Sequence, residues 1–218
     1  MCLTVIHLLM ILVVNNFLFD LTLYSCFDII LKQEFFLKGL FVLIYFTSDL
    51  HFYHDKIIRH CNRPFTDSVM MNEKLVQNWN SVVKPDDDVF ILGDVTMKGP
   101  SMAFDVLCRL MGKKYLVRGN HDRFLEKDSW RDYDYVFEWV KDYFELEYLN
   151  QYFILFHYPI SEWNGKHRGS VHLHGHQHNF EVYNYQQKHL GIRRYDVGVD
   201  ANHFMPVSVD SILSFFNV

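Results

Sequence analysis

Seven side chains with metal-ligating chemistry lie in short runs spread along the chain. They are Asp49 and His51 in Asp49-Leu50-His51, Asp94 after Gly93, Asn120 in Gly119-Asn120-His121-Asp122, His157, and His176 and His178 in Gly175-His176-Gln177-His178. The set offers carboxylate oxygen, amide oxygen and imidazole nitrogen, and no thiolate. One ion rarely takes seven protein ligands. Two ions sharing a carboxylate would use all seven and keep positions open for water and substrate. That donor set suits Mn, Fe, Zn or Co better than Ca or Cu(I). The glycines next to Asp94, Asn120 and His176 allow sharp turns and close approach of ligands.

The elements that must position these groups are strands. Residues 41–47 form a continuous apolar and β-branched run, as expected of a strand buried on both faces. Val89 to Leu92 and Tyr115 to Val117 read as further buried strands, with Tyr143–Leu149, Gln151–Phe156, Val171–Leu173 and Tyr195–Val199 following. Thr66 or Asp67 can cap a helix that runs to about Val83, with Val69, Val76, Trp79 and Val83 at helical spacing. Pro100 starts another helix that Gly112 stops, and Ser208 caps a last one. Each polar run falls just past the C-terminal end of a strand, where ligand sites collect in α/β sheets. The early alternation of strand and helix predicts α/β architecture, and the later strand-rich part predicts a second sheet.

With these runs in this order, the sequence resembles the calcineurin-like metallophosphoesterase superfamily over roughly residues 42–218. The stretch Thr47 to His54, with Asn62-Arg63-Pro64-Phe65 and Trp79-Asn80, resembles a small branch found in bacteria and their viruses. The resemblance implies a four-layer sandwich of two mixed β-sheets flanked by helices, with a two-metal site at one edge. It assigns Asp49, His51 and His178 to one metal and Asn120, His157 and His176 to the other, with Asp94 as the bridge. It leaves His121 free to face the substrate. Two cations about 3.5–4 Å apart can clamp a phosphate and acidify a shared water, and His121 can give a proton to the leaving oxygen. Asp122 is expected to orient the His121 imidazole.

Other residues have weaker claims. His54 and Arg63 are expected to face substrate, since a guanidinium fork matches phosphate oxygens and Pro64 stiffens the loop of Arg63. Arg118, Arg123 and Arg168 are further cations of this kind, and Trp163 could stack on a base. His172 and His174 share a strand face and read as packing residues. Asp200 could brace the site or simply serve a turn.

Composition bounds the function. The net charge of −5 (21 basic, 26 acidic residues) disfavours a non-specific polyanion binder, so no long duplex nucleic acid is expected. Four cysteines without a CxxC pair argue against a zinc ribbon or a disulfide framework and suit a reducing, cytoplasmic setting. Residues 1–40 form an apolar extension with no charged residue before Asp20. It reads as an appendage to a working domain of residues 41–218; a membrane anchor and extra packed helices are the alternatives. The expected activity is hydrolysis of small phosphodiesters or nucleotides. Alternatives are a nuclease acting on nucleic-acid ends, a non-catalytic metal-braced interaction module, and a binuclear peptidase or amidohydrolase, which the motif order disfavours.

Overall fold

The computed structural model describes residues 42–218. The expectations for residues 1–40 lie outside the described residues. Among the described residues, no helix is long and apolar enough to cross a membrane.

Two mixed sheets make up the fold. The first has the order β4-β3-β2-β1-β9. Its strands are β1 (Ile44–Thr47), β2 (Asp88–Ile91), β3 (Lys113–Val117), β4 (Trp139–Lys141) and β9 (Val207–Ser208). The first four run parallel, and β9 pairs antiparallel with β1. The second sheet has the order β5-β6-β7-β8. It is built from β5 (Tyr143–Tyr148), β6 (Gln151–Phe156), β7 (Val171–His174) and β8 (Arg194–Asp196). Here β5 and β6 form an antiparallel hairpin, and β6, β7 and β8 run parallel.

Side chains of the first sheet alternate between two cores, as the two-residue period of a strand requires. Tyr45, Val89, Ile91 and Leu116 point to the outer core. That core is completed by α1 (Asp55–His60), α2 (Ser68–Val82) and α3 (Pro100–Leu107) through Ile57, Met71, Leu75, Trp79 and Val106. Phe46, Phe90, Leu92 and Val117 point the other way and meet Phe153, Leu155, Val171 and Leu173 of the second sheet. The last helix, α5 (Val209–Phe216), adds Val209, Ile212 and Phe216 to this inter-sheet core. Burial on both faces is why these strands read as unbroken apolar runs. Asp67 is the cap of α2, accepting from the Met70 N–H at 2.8 Å, and Ser208 caps α5 through the Ser211 N–H at 3.2 Å. Val69, expected on the buried face of α2, is exposed, because Met71 and Leu75 hold the inward positions. Two helices that the sequence did not announce, α1 and α4 (Val182–His189), are short and largely polar.

His172 and His174 lie on the outer face of β7, fully buried as packing residues. His172 donates from Nδ1 to the Ile154 carbonyl at 3.0 Å and stacks beside Trp163. His174 donates from Nδ1 to the Gly175 carbonyl at 2.8 Å and meets Tyr183 of α4 edge-on. Burial pushes both rings down to about 3. A base whose folded pKa is depressed binds fewer protons folded than unfolded, so its contribution is lost as pH falls below the unfolded value of about 6.5. Acidification from pH 6.5 to 5 should therefore cost about 2 kcal/mol for each ring. Urea midpoints across that window should fall, and fall less steeply in His172→Gln; an equal slope would remove this ring from the account.

Candidate metal centre

The polar runs leave the strands at one edge, where backbone hydrogen bonds join them. The Asp49 N–H donates to the Gly93 carbonyl and the His51 N–H to the Asp94 carbonyl, each at 3.0 Å, tying the loop after β1 to the loop after β2. The Gly175 N–H donates to the His157 carbonyl at 3.0 Å, tying β7 to β6. The two sheets are linked directly where Asp49 Oδ2 accepts from the His176 N–H at 2.9 Å. These approaches leave no room for side chains at two glycines. A Cβ on Gly119 would collide with Asp94 Oδ1, and one on Gly175 with Ser48 Oγ and Asp49 Oδ2.

The seven expected donors come together. Asp49, His51 and His178 offer ligand atoms within 4.8 Å of one another, and so do Asp94, His157 and His176. Asp94 Oδ2 stands at the junction, 3.5 Å from His51 Nε2 and 3.6 Å from His157 Nε2. Asn120 Oδ1 joins the second cluster 3.0 Å from His157 Nε2. Five of the seven hold left-handed backbone: Asp49 (φ 58°), His51 (50°), Asp94 (58°), His176 (73°) and His178 (51°). Such conformations cost about 1–3 kcal/mol each and cluster at functional sites.

The hydrogen bonds fix which atoms face inward. His157 Nδ1 lies 2.7 Å from the Leu92 carbonyl, so this nitrogen carries the proton. Burial disfavours the imidazolium of His157, which leaves a lone pair on Nε2 facing Asn120 Oδ1. His178 donates from Nδ1 to Asp200 Oδ2 at 2.8 Å, and its Nε2 faces His51 Nε2 at 3.2 Å. In each cluster two polar atoms thus face one another at hydrogen-bonding distance, with a proton or a metal ion able to lie between them. Asp49 Oδ1 and His51 Nδ1 are buried with no hydrogen-bond partner. Burial pushes Asp49 up to about 8 against the pull of His178. For His178 burial opposes the charge, but the Asp200 hydrogen bond, Cys61 and Asp49 raise it to about 10. An orphaned carboxylate oxygen and convergent imidazole lone pairs are the donor set of a transition-metal site, and these residues fit one.

Two sequence expectations are corrected. Arg63 does not face substrate. Its side chain is fully buried, with Nε and Nη2 donating to Asp200 Oδ1 and Oδ2, both at 2.8 Å. It also donates to the carbonyls of Asp49 (2.7 Å) and Leu50 (3.1 Å). Arg63 thus ties the loop of Asp49 and His51 to Asp200, which in turn orients His178. Burial pushes Asp200 up, yet its bonds from His178 and Arg63 hold it below the usual carboxylate range. Asp122 does not orient the His121 ring. Its buried oxygens accept from the N–H groups of Asp94 (2.9 Å), Val95 (2.8 Å) and Gly119 (2.8 Å), so it fixes the loops that carry Asp94 and Asn120.

His121 is half-buried at the rim, its ring 5.4 Å from that of His51 and its N–H donated to Asp94 Oδ1 at 2.8 Å. His54 lies on the same side, 5.4 Å from the His51 ring, with a buried Nδ1 that has no partner. Trp163 is a packing residue, donating to Ser170 Oγ at 3.1 Å. Arg168 and the expected surface histidines do not enter the clusters. Sequence reasoning missed Tyr158, whose ring packs 4.5 Å from His176; its place directly after His157 was the available signal. Replacing Arg63 by Ala should destabilise the protein by about 3–5 kcal/mol, because the buried Asp200 charge loses its guanidinium partner and keeps only the His178 bond. Chemical denaturation checks this, and a loss below 1 kcal/mol would contradict the brace.

The calcineurin-like phosphoesterase model matches residues 42–200. An uncharacterized protein of Methanocaldococcus jannaschii is 34% identical over 172 residues, which cover 78% of this chain and 89% of that protein. The gene 66 protein of Mycobacterium phage L5 is 29% identical over 183 residues, covering 72% of this chain and 86% of the phage protein. A solved structure of a protein of unknown function from Aquifex aeolicus is 28% identical with a TM-score of 0.63, covering 80% of this chain and 99% of that one. The family match takes in every strand-end donor from Asp49 to His178, and on it the chain belongs to the calcineurin-like phosphoesterase family and is a metal-dependent phosphoesterase.

Proposed function

We propose that this protein hydrolyses small phosphodiesters or nucleotides at a two-metal centre. The observation that carries the proposal is the position of Asp94 Oδ2, about equally far from His51 Nε2 (3.5 Å) and His157 Nε2 (3.6 Å), between two clusters whose lone pairs converge. Asp49, His51 and His178 would hold one cation, Asn120, His157 and His176 the other, and Asp94 would serve both. Two cations, of Mn, Fe, Zn or Co, would supply Lewis-acid stabilisation of phosphoryl charge and a nucleophile at neutral pH.

The remaining work falls to protein groups. Asp200 and the Leu92 carbonyl fix the tautomers of His178 and His157, so that Nε2 of each ring points inward. Asp122 and Arg63 hold the loops that set the donor spacing. His121, tethered through its N–H to Asp94 but with its ring at the open rim, is placed to give a proton to the leaving oxygen. His54, on the same side of the His51 ring, would face the substrate beside it.

Three outcomes are expected. His121→Ala should lower turnover of a chromogenic diester by about 10²–10⁴-fold with metal content unchanged; loss of metal by elemental analysis would give this ring a different role. Asp94→Asn should lose metal and reduce activity by at least about 100-fold, and full activity would place the reaction elsewhere. Asp49 at about 8 and His178 at about 10 are both above neutrality, so both hold protons at pH 7 that a cation must displace. Mn²⁺ loading in unbuffered solution at pH 7 should therefore acidify it, and loading without proton release would contradict the assigned ligands.

A further inference from the structure

A cavity of about 460 Å³, lined in part by Asn120, opens beside the second donor cluster. That volume falls in the range of small-molecule sites, about 300–1,000 Å³. Its walls include two guanidinium groups (Arg118 and Arg123), three carboxylates (Asp122, Glu126 and Asp142) and two aromatic rings (Phe156 and Tyr158). The rings are neighbours, with centroids 5.6 Å apart, and Tyr158 also packs on His176, so the cavity and the candidate centre share a wall. Arg118 lies 3.3 Å from Asp142. Arg123 is exposed and makes no side-chain hydrogen bond or ion pair among the described residues.

The charge balance restricts the occupant. Two guanidinium groups meet three carboxylates, so the wall carries no excess positive charge and does not attract a chain of further phosphates. Aromatic faces accept a flat heterocycle whatever its edge pattern, while arginine and carboxylate groups can pair with the donors and acceptors of a base and sugar. A phosphomonoester with a small alcohol has nothing to fill this space.

We infer that the cavity lined by Arg123, Phe156 and Tyr158 is a nucleoside subsite, and that the substrate is a phosphodiester with one phosphate at the metals and a nucleoside arm in this cavity. The assignment rests on the phosphoesterase function proposed above. It makes Arg123 and Tyr158 specificity-determining residues and disfavours nucleoside polyphosphates as substrates.

The test compares two diesters that release the same p-nitrophenol from the Mn²⁺-loaded full chain: thymidine 5′-(p-nitrophenyl phosphate) and methyl p-nitrophenyl phosphate. The nucleoside diester should have a kcat/KM at least tenfold higher. Arg123→Ala and Tyr158→Leu should each reduce that ratio about tenfold, mainly through KM, and thymidine 5′-monophosphate should bind each variant about tenfold more weakly by calorimetry. Equal kcat/KM for the two diesters in the unaltered protein, or an unchanged ratio in both variants, would overturn the subsite and leave the phosphoesterase function standing. If neither diester is hydrolysed, it is the phosphoesterase function that fails. The subsite is then decided by binding alone: it stands if the monophosphate binds the unaltered protein and the variants weaken it, and falls otherwise.

Discussion

The convergence of imidazole nitrogens with carboxylate and amide oxygens at one edge is the constraint around which this protein is built. His51 and His178 present Nε2 to one another, His157 presents Nε2 to Asn120 Oδ1, and Asp94 reaches toward both clusters. The outward ring N–H groups of His157 and His178 are committed to Leu92 and Asp200, so between the inward-facing atoms there is room for a proton or a cation. A cation would take the place of those protons. Much of the local structure makes sense as support for that convergence: the left-handed backbone at five donors, the glycines without room for a Cβ, and the backbone bonds that tie the strand ends.

The same edge concentrates buried acid. Burial drives Asp49 to about 8, Asp122 to about 7 and Asp196 to about 6, although backbone N–H groups partly counter it. The protein answers with one fully buried cation, Arg63, whose fork closes on Asp200 while its remaining N–H groups hold the carbonyls of Asp49 and Leu50. Asp49, which Arg63 does not pair with, is left to hold a proton instead, and bound metal ions would neutralise its charge once that proton leaves. Since such ions bind the folded chain and not the unfolded one, loading the site should also stabilise the fold.

The architecture explains why the site sits at an edge. The first sheet supplies Asp49, His51, Asp94 and Asn120 from the ends of β1, β2 and β3, and the second supplies His157, His176 and His178 from the ends of β6 and β7. The inter-sheet core of Phe46, Phe90, Leu92, Phe153 and Leu173 sets the separation of these two groups. Packing in that core therefore fixes the distances in the centre, and the bond from the His176 N–H to Asp49 is where the two sheets meet chemically.

The amino-acid sequence alone determined which side chains could be donors and where they would fall. Strands buried on both faces are written as apolar runs, and donor types follow them directly, so the α/β class, the second sheet and the seven candidate donors were legible. Two short strands and two short helices were not, because β4, β9, α1 and α4 are made by pairing and packing with distant segments rather than by a periodic pattern of their own. The uses of Arg63 and Asp122 were decided only by the tertiary structure. A guanidinium before a proline looks the same in sequence whether it meets substrate or a buried carboxylate 137 residues away. A carboxylate beside a histidine looks the same whether it holds that ring or three backbone N–H groups. Residue type sets what a side chain can bind, but its partner is whatever the folded chain brings within hydrogen-bonding distance.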